Sequence, residues 1–247
     1  MISIIIPTKN EQKYLPILLS SISEQKLKSL EIIVADAFSN DKTCKIAKEY
    51  GCKVIQGGIM AKGRNEGAKA AKGDILLFID ADVILPDNFL KTALLEFTKR
   101  KLDVAGTLQT PIQTIKKRKN FQYKIFYGTA NFGMRLMQKT ACPFMQVCMF
   151  VNKNVHEKID GFNEELIFAE DSDYAGRAVK NGYKFGILKS VKVKISPRRF
   201  EEGNSLRLAI TYFWLNLTRL CGYEHRKNSF CKKYLYKTYG KNYFDNS

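Results

Sequence analysis

The sequence predicts an α/β protein with a mostly parallel central sheet and helices on both faces. Apolar segments typical of buried strands alternate with segments of helical periodicity between residues 3 and 101. Polar residues directly follow three of these strands, and 247 residues with 45% hydrophobic content can form a substantial core. Since ligands bind beyond the carboxyl ends of parallel strands, the same pattern predicts a binding site there.

Each predicted strand is followed by a predicted helix. The strands cover residues 3–6, 31–35, 53–55 and 75–79. The first helix follows a cap at Asn10 and repeats apolar residues at helical spacing from Leu15 to Ile22. Further helices are expected over residues 42–50, 62–71 and 88–101. The polar residues 8–11, 36–41 and 80–82 should therefore meet at one edge of the sheet.

The pattern is less regular after residue 104. An aromatic and basic stretch, KKRKNFQYKIFYGTANFGMRLM, precedes a strand-like VCMFV and a helix over residues 171–180. His156 is expected to face outward from a helix. Two short strands are predicted over residues 184–188 and 191–195, and an appendage follows them.

Charge and cysteine content narrow the classes of protein. The net charge is +17, and it comes from two segments: residues 104–156 hold eight basic and no acidic residues, and residues 189–247 hold thirteen basic against four acidic ones. Such a field suggests an anionic partner, although a solvated lysine-rich surface explains it equally well. Six cysteines without a C-x-x-C pair favour reduced thiols in a cytoplasm. We also expect neither a signal peptide nor a membrane-spanning segment.

Two carboxylates follow the strand over residues 75–79, in the stretch GDILLFIDADVILPDNF. Asp80 and Asp82 are two positions apart, so an extended backbone would send them to the same side. Two anions at close range repel unless a cation lies between them. A solvated turn before Pro86 is the structural alternative, because Asp is common in turns.

Four segments together resemble a family 2 glycosyltransferase of the GT-A fold. They are SIIIPTKNE, DAFSNDKT, AKGRNEGAKAAKGDILLFIDADV and GFNEELIFAEDSDYAGRAVKNGYKF, in the family's order over residues 3–185. The resemblance implies a nucleotide-diphosphate sugar as donor, a Mg²⁺ or Mn²⁺ cofactor and inversion at the anomeric carbon. It also implies a GT-A domain over residues 1–196, with a nucleotide-sugar-binding half (1–103) and an acceptor-side half (104–196).

The resemblance implies roles for individual residues. Asp82 is expected to bind the metal, Asp80 to contact the ribose, and Asp36 to contact the base or ribose. The complete predicted nucleotide-sugar site contains Pro7, Thr8, Glu11, Asp36, Lys62, Arg64, Asn65, Asp80, Ala81, Asp82, Arg198 and Arg199. Carboxylates suit hard divalent cations, which neutralise the charge of a leaving diphosphate. A guanidinium group can also bind phosphate in a bidentate manner.

The family's catalytic base corresponds to Asp171 in FAEDSDY, with Glu170 and Asp173 as alternatives. An acid at this position is also explained by helix capping and the helix dipole. Relatives often have a glycine-rich segment before the GF pair that appears here as Gly161 and Phe162. This chain has CPFMQVCMFV instead, which leaves the acceptor open. Neither His156 nor His225 is assigned to the metal.

Residues 197–247 are predicted to form a basic, amphipathic helical appendage. Its apolar face can lie on an anionic membrane, or it can pack on the domain or on the second subunit of a homodimer. If the appendage binds a membrane, we expect a cytoplasmic protein that is peripheral at the inner face of the membrane, with a glycan or lipid-linked acceptor.

Two other functions remain as alternatives. A non-catalytic GT-A-like protein would keep the fold only as a scaffold. A basic anion-binding or nucleic-acid-binding protein would explain the charge but not the aspartates, so nucleic acid is not expected as a partner. Metal-dependent turnover of a nucleotide sugar would distinguish a transferase from both.

Overall fold

The computed structural model describes residues 1–58, 60–112, 117–145, 148–166, 168–196, 198, 214, 217, 218 and 222, with only the backbone of residues 117–119. The strands are β1 (Ile2–Thr8), β2 (Leu30–Asp36), β3 (Lys53–Gln56), β4 (Ile75–Ile79), β5 (Val83–Ile84), β6 (Val104–Pro111), β7 (Cys148–Asn152) and β8 (Phe185–Ile195). The helices are α1 (Leu15–Ser23), α2 (Thr43–Glu49), α3 (Ala61–Ala70), α4 (Phe89–Lys99), α5 (Lys117–Met137), α6 (Lys153–Lys158) and α7 (Glu170–Lys180). The strand and helix pairs predicted before residue 102 are confirmed to within a few residues.

All the described strands belong to one sheet, in the order β3-β2-β1-β4-β7-β6-β8-β5. Strands β1 to β4 run parallel to one another. β7 lies between β4 and β6 and runs antiparallel to both, whereas β6 and β8 are parallel. The predicted mostly parallel sheet is therefore confirmed: four of the seven described strand pairs are parallel, and the three antiparallel pairs all involve β5 or β7. β4 and β6 consequently end at the same edge.

Both faces of the sheet are buried. Ile4 and Ile6 of β1 lie in one apolar cluster with α1 and α4, and Ile5 between them lies in a second cluster with α3 and α7. Leu77 and Phe78 of β4 divide between the clusters in the same way. A strand covered on both faces is apolar at every position, which explains the unbroken runs in the sequence.

Two predictions about local structure are wrong. Asn10 does not cap α1, which begins five residues later; its backbone has a φ of 56° and its side-chain oxygen accepts from the Asn40 N–H at 2.9 Å. The two strands predicted over residues 184–195 form the single strand β8, which pairs with β6 through a register shift. No element was predicted for the aromatic and basic stretch, which forms the long helix α5 after residue 116.

The side chain of Asn131 connects α5 to the sheet. In the described part of the chain, β7 pairs with β6 only over Val104–Gly106, so no described strand covers the edge of β6 beyond Gly106 on that side. Asn131 takes this place: its Oδ1 accepts from the Gln109 N–H at 3.0 Å, and its Nδ2 donates to the Gln109 carbonyl at 2.7 Å. A side-chain amide thus supplies both bonds that a neighbouring peptide group would make.

The single sheet includes strands from residues 1–103 and from residues 104–196, and the predicted division into these halves stays a prediction. Of the predicted appendage, only residues 198, 214, 217, 218 and 222 lie within the described part of the chain. Within that part, no helix combines the length and the apolar character needed to cross a membrane.

Candidate active site

Three strand ends bring the predicted donor residues to one edge of the sheet. β1 lies between β2 and β4, and all three are parallel. Thr8 ends β1, Asp36 ends β2, and Asp80 follows β4 directly. The predicted convergence of these polar residues is therefore confirmed.

Asp36 is held by hydroxyl and backbone groups. Its Oδ1 accepts from Thr8 Oγ1 at 3.0 Å and from Ser39 Oγ at 2.6 Å, and its Oδ2 accepts from the Ser39 N–H at 2.8 Å. Asp36 is only 6% exposed. Sequence reasoning missed Ser39, although a hydroxyl three residues after an Asp is a recognisable turn pattern.

Arg198 joins Glu11 to Asp82, and we name these three residues the Arg198 cluster. Its Nη1 and Nη2 donate to the two carboxylate oxygens of Glu11 at 2.8 and 2.7 Å. Its Nε lies 3.1 Å from Asp82 Oδ2, and the guanidinium lies over the ring of Tyr14, 4.8 Å from the ring centre. The paired fork geometry is the one a guanidinium also uses for phosphate.

The pKa of Glu11 reflects this crowding. Burial raises the pKa of Glu11; Arg198 counteracts the rise, and the neighbouring charges of Asp82 and Asp80 add to it. Glu11 therefore interacts with both aspartates at the predicted edge of the sheet.

Arg64 joins the strand-end aspartates to α7, and we name Arg64, Asp80, Glu170 and Asp171 the Arg64 cluster. Arg64 Nη2 donates to Asp80 Oδ1 at 3.0 Å, and its Nη1 donates to Glu170 Oε1 at 2.8 Å. The same Nη1 lies 3.5 Å from Asp171 Oδ1. The Arg64 side chain is 2% exposed. Burial alone would lower the pKa of Arg64, but the charges of Asp171, Asp80 and Glu170 raise it above its usual value.

Small residues on α3 allow Arg64 to reach this position. A Cβ at Gly67 would lie 2.3 Å from Ile5 Cγ2 of β1. A Cβ at Gly63 would lie 2.6 Å from the carbonyl oxygen of Gly58 and 3.2 Å from Pro7 Cβ. Both glycines therefore permit a close approach of α3 to the sheet, and Pro7 contacts the helix there.

Asp80 and Asp82 do not behave as the extended pair that their spacing predicts. β4 ends at Ile79, and Ala81 and Asp82 lie in a turn. Consequently Asp80 contacts Arg64 and Asp82 contacts Arg198. Ala81 is 4% exposed and packs in the apolar cluster beneath the turn. Each carboxylate thus faces a cation of its own.

Asn65 was predicted in the donor site, and the structure places its amide elsewhere. Asn65 Nδ2 donates to the Phe162 carbonyl at 2.9 Å and to Glu164 Oε1 at 2.8 Å, and its Oδ1 accepts from the Phe162 N–H at 2.8 Å. It also lines a groove of about 770 Å³ beside α6. The direction of Asn65 has a geometric reason: adjacent residues on a helix point about 100° apart, so Asn65 faces the 162–164 loop while Arg64 faces Asp80. A role of Asn65 in the donor site stays a prediction.

Three acids at the start of α7 were candidates for the base. Glu170 is 5% exposed and bonded to Arg64, and Asp173 forms an ion pair with Arg177 at 2.8 Å. Asp171 is 3.5 Å from Arg64, and its side chain is 15% exposed. The Asp173 side chain is 22% exposed, but of these two acids only Asp171 shares a guanidinium with Asp80 at the strand ends, and its role as the base stays a prediction. Ser172, which sequence reasoning missed, anchors α7 because its Oγ accepts from the Met145 N–H at 2.9 Å.

The remaining predicted residues have different positions. Lys62 is exposed in the first turn of α3, and its aliphatic chain covers Gly58. Arg199 and His225 lie outside the described residues. His156 was predicted to face outward, and this is wrong: it is 7% exposed and its ring stacks on that of Tyr174. Burial lowers the pKa of His156 to about 4, so the ring is neutral near pH 7.

The donor set fits a hard divalent cation only in part. Asp82 is the carboxylate that would hold Mg²⁺ or Mn²⁺, because oxygen ligands suit both ions. Among the residues that the structure describes, no group of three or more His, Cys, Asp or Glu side chains is placed to bind a metal. Further ligands would therefore have to come from the donor phosphates.

The fold and the arranged carboxylates define a GT-A-type protein. Solved structures with this architecture include TarS 1–349 of S. aureus in complex with UDP-GlcNAc, with a TM-score of 0.63, 23% identity, 79% coverage of this chain and 58% of that chain. A mannosyltransferase from Pyrobaculum calidifontis in complex with GDP-Man and Mn²⁺ has a TM-score of 0.66, 19% identity, 85% coverage of this chain and 60% of that chain.

The chain belongs to glycosyl transferase family 2, whose family model matches residues 3–160. It is 28% identical over 210 residues to the poly(ribitol-phosphate) beta-N-acetylglucosaminyltransferase TarS of Staphylococcus aureus, covering 81% of this chain and 36% of that protein. It is 40% identical over 109 residues to the 4,4'-diaponeurosporenoate glycosyltransferase of Staphylococcus haemolyticus, covering 40% of this chain and 29% of that protein. The chain thus spans about a third of the length of these two relatives.

Proposed function

We propose that this protein is an inverting, metal-dependent glycosyltransferase that moves a sugar from a nucleotide-diphosphate sugar to an acceptor hydroxyl. The observation that carries the proposal is the Arg64 cluster. A single buried guanidinium ties a strand-end aspartate to the start of α7, although Arg64 and Glu170 are 106 residues apart in the sequence. The donor side and the base side of a transfer reaction are thereby held together.

The donor would bind along the edge formed by β1, β2 and β4. Asp36 is oriented by Thr8 and Ser39, so its carboxylate is prepared to accept hydrogen bonds from a base or ribose. Glu11 and Asp80 would accept ribose hydroxyls beside it. Lys62 and Arg198 would contact the phosphates, since a guanidinium bound to two carboxylates can exchange one for phosphate. The relatives crystallised with UDP-GlcNAc and with GDP-Man support this class of donor.

Asp82 would hold the divalent cation together with the donor phosphates. A bound Mg²⁺ or Mn²⁺ supplies Lewis-acid stabilisation of the leaving diphosphate. The Mn²⁺ in the Pyrobaculum mannosyltransferase structure supports this cofactor class. Arg198 contacts Asp82 at 3.1 Å and would neutralise the same carboxylate before the donor binds.

Asp171 would act as the general base. It accepts the proton of the acceptor hydroxyl while the acceptor oxygen forms a bond to the anomeric carbon, and the bond to the diphosphate breaks with its electron pair on the departing oxygen. Attack from the face opposite the diphosphate inverts the configuration. Arg64 and the amino-terminal end of α7 both favour the ionised form of a carboxylate, so Asp171 would depend on positioning as well as on basicity.

The acceptor is proposed to be a glycan or a lipid-linked molecule at the cytoplasmic face of a membrane. The name of the S. aureus relative identifies poly(ribitol-phosphate) as the substrate of that protein, which supports an anionic acceptor class here. The concentrated positive charge of residues 104–156 also suits such an acceptor.

The test is turnover of UDP and GDP sugars with Mn²⁺ or Mg²⁺, using membrane extracts as a source of acceptor. We expect Asp82→Ala to abolish turnover and Asp171→Asn to reduce it by about 10²–10⁴-fold. Asp171→Asn should still bind the donor, seen as an increase in thermal stability. Asp87→Ala is the matched control, because Asp87 is exposed only five residues after Asp82.

The outcomes distinguish the alternatives. Donor binding without turnover in the wild-type protein would support a non-catalytic GT-A-like protein. Turnover that Asp82→Ala leaves intact would refute the assigned metal site, and turnover that Asp171→Asn leaves intact would refute the assigned base.

A further inference from the structure

α5 has an apolar stripe on the side that faces away from the protein. Tyr123, Tyr127 and Met134 on its inner side are 1%, 5% and 0% exposed. The stripe consists of Phe121, Ile125, Phe132 and Leu136, which are 67%, 52%, 67% and 65% exposed. At 3.6 residues per turn these four positions fall within an arc of roughly 60°, opposite the buried side. The stripe therefore cannot pack into the core that α5 itself covers.

Positive charge accompanies the stripe. The sequence of α5 holds five basic and no acidic residues. Lys124 and Arg135 are exposed beside the stripe, and Lys139 is exposed just after the helix ends. Exposed apolar side chains flanked by cations are the combination found on helices that lie in an anionic membrane interface.

Three other occupants of the stripe fit less well. A second copy of the chain would bring together two helices that carry only positive charge, and these repel. Of the chain's own segment after residue 196, the described residues Trp214 and Leu217 are 61% and 41% exposed, so these two apolar side chains do not cover the stripe. Nucleic acid would satisfy the cations but would give no role to Ile125 and Leu136.

We propose that the exposed face of α5 binds the surface of a membrane that contains anionic lipid, with the apolar stripe in the acyl boundary and the cations at the headgroups. Because no helix in the described part of the chain is suited to cross a membrane, α5 would lie in the plane of the interface. This deepens the proposed function, since it rests on the membrane-proximal acceptor proposed there.

The location of α5 agrees with that role. α5 follows β6, and β6 ends at the same edge of the sheet as β4. Tyr123 and Tyr127 pack with Ile195, the last residue of β8. Ser196 N donates to the carbonyl of Asp82 at 3.0 Å. A membrane held by α5 would therefore lie beside the carboxylate edge, where a lipid-linked acceptor could reach Asp171.

The experiment is flotation of the full chain with liposomes of phosphatidylcholine, with and without phosphatidylglycerol. We expect binding only when phosphatidylglycerol is present. The stripe variant Phe121→Ser/Ile125→Ser/Phe132→Ser/Leu136→Ser should bind roughly a hundredfold more weakly. The matched control is Ile17→Ser/Tyr50→Ser/Leu95→Ser, which removes apolar side chains that are 46%, 44% and 63% exposed elsewhere and should float as the wild type does.

A second pair of variants tests whether the basic residues on and just after α5 are needed. Both triple variants have the same net charge. Lys124→Glu/Arg135→Glu/Lys139→Glu should lose flotation, whereas Lys28→Glu/Lys91→Glu/Lys99→Glu should retain most of it. Each triple changes exposed lysine or arginine side chains only. All variants replace exposed groups, so their thermal unfolding should match that of the wild type.

Several results would overturn the proposal. The proposal is wrong if the wild type fails to float, or if the stripe variant floats as well as the wild type. It is also wrong if the wild type binds liposomes with and without phosphatidylglycerol equally. A dimer in solution that the stripe variant dissociates would assign the stripe to a second copy, and loss of nucleic-acid binding in that variant would assign it to a polyanion. Turnover of the sugar donor, measured separately without liposomes, should be unchanged in the stripe variant. Absence of turnover in the wild-type protein would refute the proposed transferase activity but not the proposed membrane-binding surface.

Discussion

The Arg64 and Arg198 clusters each place one guanidinium among carboxylates, but in different surroundings. The Arg64 side chain is 2% exposed and comes from the middle of a helix packed on the sheet. The Arg198 side chain is 21% exposed and lies beyond the end of β8. A buried ion cannot leave its partners without a large desolvation penalty, whereas a partly exposed one can exchange them.

This difference in burial implies a structural role for Arg64 and a role in ligand binding for Arg198. Arg64 would keep the same partners through a reaction, so it fixes the distance between Asp80 and α7. Arg198 and its partners lie where the donor phosphates are proposed to bind, so its contacts with Glu11 and Asp82 would change when the donor enters. We therefore expect substitutions of Arg64 to act on stability and substitutions of Arg198 to act on binding.

Replacing Arg64 should have the largest effect on stability. Arg64→Met leaves Asp80, Glu170 and Asp171 without their shared cation, and we expect the free energy of unfolding to fall by about 3–5 kcal/mol. Urea denaturation followed by circular dichroism measures this loss. Arg198→Met is the comparison variant and should lower the same quantity by less, about 1–2 kcal/mol, because Arg198 itself is 21% exposed although Glu11 and Asp82 are buried. Equal losses of unfolding free energy in the two variants would contradict the distinction between a structural Arg64 and a ligand-binding Arg198.

Replacing Arg198 should have its main effect on the donor. Arg198→Ala is expected to weaken the binding of a nucleoside diphosphate with Mn²⁺ about tenfold, or roughly 1.4 kcal/mol, because one phosphate contact is lost. Titration calorimetry at low and high salt measures this change. Lys192→Ala, which removes an exposed charge of β8, should leave binding nearly unchanged. Tighter binding by Arg198→Ala would instead show that Arg198 blocks the site.

The first half of the fold could be predicted because its information is local. Apolar runs buried on both faces mark β1, β2 and β4, and helical spacing marks α1 and α4. The ends of parallel strands then place Asp36, Asp80 and Asp82 at one edge without any knowledge of distant contacts. The predicted grouping of these residues was correct for that reason.

The contacts that organise the site could not be predicted in this way. Arg64 and Glu170 are 106 residues apart, and Arg198 and Glu11 are 187 residues apart. No periodicity links such positions. His156 was predicted to face outward from a helix, whereas the aromatic residues that bury it come from β4, α7 and the 162 loop. The antiparallel β7 was equally invisible, because strand direction depends on the path of the chain.

A carboxylate outside both clusters sharpens the comparison, because it stabilises the fold without belonging to the proposed site. Glu96 of α4 accepts from the backbone N–H groups of Lys189 and Ser190 at 2.9 and 2.8 Å, and Arg100 Nη1 donates to it at 2.7 Å. Burial opposes ionisation, but the hydrogen bonds from Ser190, Lys189 and Arg100 lower the pKa of Glu96 to about 2. We therefore expect a substitution of Glu96 to lower the stability of the fold, as one of Arg64 does. Unlike a substitution of Arg198, it should leave donor binding unchanged.

The lowered pKa of Glu96 determines how its contribution to the free energy of unfolding changes with pH. The pKa in the folded protein is below the usual value of 4.5, so Glu96 stabilises the fold above about pH 4.5 and loses this contribution as the pH falls toward 2. We expect Glu96→Gln to lower the free energy of unfolding by about 1 kcal/mol near pH 7, after allowance for solvent screening, and by much less near pH 2. Urea denaturation across this pH range measures the difference. Glu49→Gln, whose side chain is 59% exposed and 3.9 Å from Lys45, should change stability little at any pH. A loss in Glu96→Gln that stayed constant down to pH 2 would mean that packing of the side chain, and not its charge, holds α4 to β8.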